Sequence, residues 1–240
     1  MNKNVSIMDV SFLNTTQREF LDSYIFPALK RQERCFVVTA NPEIVMKTRE
    51  DQDYKKAINK ADYVIPDGIG IIMAAKFMKQ PLQERVAGSD LTFELLEYAE
   101  RQGLSCYFLG ATEEVNKKVV ANITQQYPKL KIAGRHHGFF DMEDAGIVDE
   151  VKHAHPDIVF TALGLPRQEK WIASHVDQFE KGLFIGIGGV FDIIAGELKR
   201  APAMWIRLNL EWLYRLIKQP WRFMRILKVF EFMLRVVLRR

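Results

Sequence analysis

The sequence predicts an α/β protein: a Rossmann-like, largely parallel sheet flanked by helices, with a helical, basic C-terminal appendage. Three observations carry this. Short β-branched or aromatic runs alternate with helical patterns along most of the chain. Several of those runs are apolar on both faces, as strands covered on both sides must be. The charge is also divided: residues 197–240 hold 11 Lys/Arg and 3 acids, net +8, while residues 1–196 hold 23 basic and 27 acidic side chains, net −4. The expected division is a Rossmann-like domain over 1–196 and a basic amphipathic appendage over 197–240.

The strands expected are Cys35–Thr39, Tyr63–Pro66, Ser105–Leu109, Leu130–Ala133, Ile158–Leu163 and Leu183–Ile187. Helical patterns fill the gaps: Thr16–Arg31, Pro42–Lys60, Ile69–Phe77, Ser89–Arg101, Glu113–Tyr127, Met142–His153 and Arg167–Phe179. Thr112 is placed to cap the helix that begins Glu113-Glu114, where two acids favour the positive end of the helix dipole. In a doubly wound sheet, ligands bind beyond the carboxyl ends of the strands. That rule selects Thr39-Ala40-Asn41, Pro66-Asp67-Gly68, Gly110-Ala111-Thr112, Gly164-Leu165-Pro166 and Gly188-Gly189.

Each corner has a functional and a structural reading. Asp67 follows a buried-looking strand, where a cleft mouth can raise its pKa and aim it at a hydroxyl as a general base; Asp-Gly is equally a turn or a helix cap. Thr39 and Asn41 could hold a sugar or phosphate, or Asn41 could simply cap a helix that opens at Pro42. Gln168 lies in the first turn of a helix after Gly164-Leu165-Pro166, a place that suits a ligand but is also an ordinary strand-to-helix corner. Gly186-Ile187-Gly188-Gly189-Val190-Phe191-Asp192 resembles a dinucleotide fingerprint only loosely, because Phe191 stands where the third glycine belongs. Gly188 and Gly189 still permit a ligand to approach the backbone, and Asp192 could accept hydrogen bonds from a ribose or base.

Other chemistry is disfavoured. His136 and His137 are adjacent and point to different sides, with no persuasive ligand spacing nearby. Asp51-Gln52-Asp53 has the form of a metal-binding D-x-D, yet its polar setting reads as a solvated helix start. Cys35 and Cys106 sit beside apolar runs and read as buried thiols in a reducing compartment. The N-terminal residues resemble no signal peptide, and no apolar stretch approaches the ~20 residues of a spanning helix. A cytoplasmic protein, peripheral on the inner face of the membrane, is therefore expected.

The tail explains the word peripheral. It holds Trp205, Trp212 and Trp221, three of the chain's four tryptophans. Arg207, Glu211, Arg215, Lys218, Arg222 and Arg225 share an arc of roughly 80° on a continuous helix, though Pro220 must kink or break it. Arg215, Arg222 and Arg225 could converge on a diphosphate, which guanidinium forks bind well. The basic-aromatic surface suits an anionic membrane. It could also be a solvated face over a packed helix. The acidic body disfavours nucleic acid.

In order and spacing, TANPEIV (39–45), YVIPDGIGI (63–71), ERVAGSDL (84–91), FLGAT (108–112), LGLPRQEKW (163–171), GIGGVFDIIAGELKRAP (186–202) and EWLYRLIKQPWR (211–222) resemble the WecG/TagA/CpsF family of bacterial glycosyltransferases. The tail is similar to that of its Gram-positive TagA/TarA branch. The resemblance implies inverting transfer of N-acetylmannosamine from UDP-ManNAc to the 4-hydroxyl of GlcNAc on undecaprenyl diphosphate, for the linkage unit of wall teichoic acid. It implies that Asp67 is the base, that Thr39 and Asn41 position the sugar, and that Gln168, Gly188, Gly189 and Asp192 line the UDP site. Arg215, Arg222 and Arg225 would neutralise phosphate, with neither metal nor cofactor. Partners would be the UDP-sugar, the polyprenyl-diphosphate-linked GlcNAc acceptor and the anionic membrane, with self-association hiding the tail in water. Two other readings remain: a relative using UDP-ManNAc uronate or UDP-glucose, and a non-catalytic nucleotide- or lipid-binding protein.

Overall fold

A computed structural model describes residues 3–202, 204–205, 208, 210–218 and 223–238. Within helices its description of residues 215 and 224–226 is limited to the backbone. The chain opens with a hairpin, β1 (Asn4–Ile7) and β2 (Val10–Leu13), that the sequence reading did not anticipate. Its alternation is visible afterwards: Val5, Ile7, Val10 and Phe12 are all buried. The tight turn runs through Met8 and Asp9, both at positive φ, without the Asn-Gly type of signal that marks such turns.

A helical segment follows, α1 (Gln17–Phe20) and α2 (Phe26–Lys30), joined by a π-helical turn over Leu21–Ile25. The wider turn comes just ahead of Pro27, which has no N–H to offer and crowds the preceding turn of an α-helix. Then β3 (Arg34–Ala40) leads into α3 (Pro42–Glu50) and α4 (Gln52–Asn59). The single helix expected over residues 42–60 is thus two. Asp51 sits between them in extended conformation and caps the second, its Oδ1 accepting from Tyr54 N at 2.9 Å.

The remaining strands are β4 (Tyr63–Pro66), β5 (Ser105–Gly110), β6 (Lys131–His136), β7 (Ile158–Ala162) and β8 (Gly182–Gly186). The remaining helices of the body are α5 (Ile69–Phe77), α6 (Gly88–Gln102), α7 (Glu113–Gln126), α8 (Ala145–His153), α9 (Arg167–His175) and α10 (Val190–Ile194). Thr112 caps α7 as expected, accepting from Val115 N at 3.2 Å. The basic tail contributes α11 (Glu211–Lys218) and α12 (Phe223–Val237).

Six strands form one parallel sheet in the order β4-β3-β8-β7-β5-β6. Residue parity divides its core between two faces. Phe36, Val38 and Ala40 of β3 join Tyr107, Val159 and Phe184 on one face, with α3, α5 and α9. Cys35 and Val37 join Phe108, Phe160 and Ile185 on the other, with α6, α7 and α10. Both cysteines are buried free thiols, and burial pushes both pKa values up.

This division locates the crevice. The chain leaves β3 and β7 toward one face, through α3 and α9, and leaves β8 toward the opposite face, through α10. Loops that diverge to opposite faces open a cleft between them at the carboxyl edge of the sheet. Here that cleft lies over the end of β8, at Gly186.

The appendage is seated on the body. α12 packs against α3 and α5, and its Phe232 (0% exposed) and Val236 (4%) belong to the core of the first face. Its other side carries Phe223, Leu227, Phe230, Leu234 and Leu238, all exposed.

Candidate active site

The site is a line of touching groups across the carboxyl edge, from β7 through β8 and β3 to β4. Its centre is Thr39, the penultimate residue of β3, whose hydroxyl donates to the Gly186 carbonyl at 3.2 Å. On the far side of Gly186 lies the carboxamide of Gln168: a Cβ added to Gly186 would stand 2.5 Å from Gln168 Nε2. On the near side Thr39 abuts Gly88, where an added Cβ would meet Thr39 Oγ1 at 3.1 Å. The Gly88 N–H, at the start of α6, points to Asp67 Oδ2 at 3.4 Å.

Asp67 directly follows β4. Its N–H donates to the Ala40 carbonyl at 2.9 Å, continuing the ladder one residue past the strand. Gly68 then takes φ +90°, a conformation that L side chains rarely adopt, and turns the chain directly into α5. The half-buried Asp67 carboxylate is thus held at the mouth of the cleft by backbone on both sides.

Asn41 performs the capping role that its position allowed: its Oδ1 accepts from Ile44 N at 3.1 Å, at the start of α3. Asn41 therefore has its amide N–H groups, and the second lone pair of Oδ1, for a ligand. Thr39 is the complement, since its hydrogen is given to Gly186 and its oxygen is left as an acceptor. Beyond β8, Gly188 takes φ +52° with open space where a side chain would stand, and Gly189 faces Asp192 Oδ2, 3.5 Å from its added Cβ. Asp192 lies in the first turn of α10, and its carbonyl accepts from Leu198 N at 3.0 Å.

The structure therefore brings Thr39, Asn41, Asp67, Gln168, Gly188, Gly189 and Asp192 to one edge of the sheet. Arg222 lies outside the described residues. Arg215 and Arg225 fall within α11 and α12, but their side chains are outside the description as well.

Two connections to the edge were missed. Val86 N donates to the carbonyl of Pro66, the residue before Asp67, and the adjacent Arg85 pairs with Glu211 of α11 at 3.3 Å. Both side chains are largely buried, at 15% and 10% exposure, so the appendage is tied to the body beside Asp67. Arg200 pairs with Asp90 in the first turn of α6, drawing the segment after α10 to the same edge. The first is a contact across 126 residues, with no local signal in the chain.

The other surprise is Glu169. It is 1% exposed, and burial raises its carboxyl pKa to about 7. Its Oε1 accepts from Gln168 Nε2 at 2.7 Å. Tyr54 of α4 is its other polar neighbour, with its hydroxyl facing the Glu169 carboxyl.

An acid whose folded pKa lies above its unfolded value of 4.5 binds a proton more tightly when folded. Between pH 4.5 and 7 the unfolded chain has released that proton and the native state has not, so stability falls as pH rises through this window and is level above it. The shift corresponds to about 3 kcal/mol. Glu169→Gln is expected to remove the dependence. Denaturant unfolding of both proteins from pH 4.5 to 8 should show the variant gaining on the wild type up to pH 7, then running parallel. A constant difference across that range would mean that Glu169 is ionised in the native state throughout.

Among the described residues no group of three or more His, Cys, Asp and Glu could hold a metal ion. Asp51 caps α4 and pairs with Lys170 at 2.7 Å, and Asp53 pairs with Lys56 at 2.9 Å, so the D-x-D carboxylates serve helix α4. No helix among the described residues is long and apolar enough to cross a membrane.

Residues 5–240 match the sequence profile of the Glycosyl transferase WecG/TagA/CpsF family. A relative from Bacillus subtilis (strain 168) is 38% identical over 233 residues, covering 97% of this chain and 90% of its own length. One from Staphylococcus aureus (strain MW2) is 38% identical, over 97% and 91%. A third, from Staphylococcus aureus (strain NCTC 8325 / PS 47), is 40% identical over 88% and 83%. All three are named N-acetylglucosaminyldiphosphoundecaprenol N-acetyl-beta-D-mannosaminyltransferase.

Proposed function

Because this chain belongs to the WecG/TagA/CpsF family of glycosyl transferases, we propose that it moves N-acetylmannosamine from UDP-ManNAc to the 4-hydroxyl of GlcNAc-diphospho-undecaprenol, as in wall teichoic acid linkage-unit synthesis. The observation that carries the site is the unbroken line from Gln168 through Gly186, Thr39 and Gly88 to Asp67. It places a carboxylate, a hydroxyl and a carboxamide along one cleft, with glycine wherever a side chain would fill it.

In this reading Asp67 takes the proton of the acceptor hydroxyl as that oxygen attacks the anomeric carbon. The bond from that carbon to the UDP oxygen breaks in the same displacement, and configuration inverts. Thr39 accepts from a sugar hydroxyl, and Asn41 donates to one. Gly188, Gly189 and Asp192 face the nucleotide. The leaving diphosphate gathers negative charge, which cations must offset without a metal; Arg215, Arg222 and Arg225 of the appendage are assigned that work. The Arg85–Glu211 pair supports this by fixing α11 beside Asp67.

The acceptor's lipid gives the exposed side of α12 a purpose. Phe223, Leu227, Phe230, Leu234 and Leu238 form one stripe, and Met73 and Phe77 of the neighbouring α5 are also exposed. Such a surface is costly in water. It fits the interface of an anionic bilayer, with the protein peripheral on its cytoplasmic side. Away from the membrane, self-association would cover it.

Product analysis tests the reaction. With a short-chain GlcNAc-diphospholipid, UDP-ManNAc should yield an acceptor heavier by one N-acetylhexosamine, β-linked at C4, while UDP-GlcNAc, UDP-glucose and UDP-ManNAc uronate yield little. Preference for one of the other donors would keep the glycosyltransferase and change its sugar.

A further inference from the structure

The first turn of α9 holds more buried polar chemistry than the reaction above uses. Gln168 is 6% exposed and Glu169 1% exposed, and their side chains are bonded to one another. Neighbouring residues in a helix do not normally face each other. Here both are enclosed because α9 is covered by α4 on one side and by the ends of β3 and β8 on the other. Gln168 Oε1 is buried with no hydrogen-bond partner among the described residues, while the Tyr54 hydroxyl faces the Glu169 carboxyl. Buried polar atoms without partners are rare in native proteins and cost about 1–3 kcal/mol each. Gln168 Oε1 is such an atom, and its carboxamide lies against Gly186 at the carboxyl edge of the sheet.

One Nε2 hydrogen of Gln168 is given to Glu169, so the second Nε2 hydrogen and the carbonyl oxygen are the groups left for a ligand. The carboxamide lies flat against Gly186, where a Cβ would come within 2.5 Å of Nε2 and 3.0 Å of Cδ. It therefore has no freedom to swing toward β8. We infer that Glu169 is a positioning residue of the donor site: by accepting from Gln168 Nε2 it fixes the carboxamide against Gly186, where its remaining hydrogen-bonding groups meet the sugar nucleotide.

Only an acceptor oxygen is required of Glu169, not a charge. Its complete burial agrees with that, because an ionised carboxylate there would lack the cation that burial demands. Lys170, the nearest cation in sequence, is turned away to Asp51 of α4. Tyr54 approaches the second carboxyl oxygen and bounds the cluster on the side away from the cleft.

The inference rests on Gln168 belonging to the donor site, and a double-mutant cycle separates the two claims. UDP-ManNAc binding, without acceptor, is measured by calorimetry for wild type, Gln168→Ala, Glu169→Leu, Glu169→Gln and the double variant Gln168→Ala/Glu169→Leu. Circular dichroism checks that each is folded, and Glu169→Met stands beside Glu169→Leu as a second apolar replacement of similar volume. Gln168→Ala and Glu169→Leu should each weaken binding about fivefold or more. The double variant should bind like Gln168→Ala alone, because Glu169 acts only through Gln168. Glu169→Gln, which keeps an acceptor oxygen, should bind within about twofold of wild type. Additive losses in the double variant, or wild-type binding by both apolar variants, would overturn the positioning role. Wild-type binding by Gln168→Ala would remove Gln168 from the donor site and overturn the reading beneath it.

Discussion

Asp67→Asn is expected to lower turnover by about 10²- to 10⁴-fold, the range over which a positioned general base acts. The substitution is nearly isosteric. The Asn oxygen can still accept from Gly88 N, and the backbone bond from residue 67 to Ala40 is untouched. What is lost is the ability to take a proton. Donor affinity should therefore stay within about threefold of wild type. Steady-state UDP release and calorimetry with UDP, on the same preparation, separate the two effects. Equal loss of binding and turnover would make Asp67 a structural cap. Undiminished turnover would move the base elsewhere.

Phe232→Ala should have the second-largest effect. Phe232 is fully buried where α12 meets α3 and α5, and removing such a ring costs about 3–5 kcal/mol. The loss falls on the seat of the appendage. Transfer should collapse because α11 and α12 no longer stay beside Asp67, while UDP binding to the body persists. Phe230→Ser is the matching control on the same helix, two residues away and 65% exposed. It should leave stability within about 0.5 kcal/mol. It should weaken binding to anionic vesicles roughly tenfold or more, from the lost burial of one aromatic ring in the interface. Co-sedimentation with phosphatidylglycerol vesicles and denaturant unfolding read the two quantities. If Phe230→Ser destabilised the fold and left vesicle binding unchanged, the exposed stripe would not be the lipid-facing side.

Much of this was legible in the chain. The strands of the parallel sheet were readable because they are short and most are apolar on both faces; β6 (Lys131–His136), polar at Lys131, Arg135 and His136, was foreseen only in part, as Leu130–Ala133. The same property made the corners visible: ligands gather at the carboxyl ends of strands, and Thr39 lies at the end of β3 while Asp67, Gln168 and Gly188 follow β4, β7 and β8. The hairpin at residues 4–13 was missed because its turn is Met8-Asp9, two residues that seldom take positive φ. The helix break at Asp51 was missed because one polar run, Thr48–Lys56, fits a continuous amphipathic helix as well as a capped restart.

The site was harder to read where it depends on contacts between distant residues. Arg85 stands in ERVAGSDL as one more charge, and only folding brings Glu211 to it. Glu169 stands between Gln168 and Lys170 with no sign in the chain that it is buried; α4 and the sheet edge enclose it. Gly186 looked like part of a failed dinucleotide fingerprint. Its use is different: it leaves room for the Gln168 carboxamide.

The most direct test is acceptor-dependent UDP release by the full-length protein with UDP-ManNAc and a short-chain GlcNAc-diphospholipid. Release should require both substrates, and each UDP freed should match one acceptor extended. UDP release that is the same without acceptor, or none with both substrates and anionic vesicles present, would contradict a single displacement at this cleft.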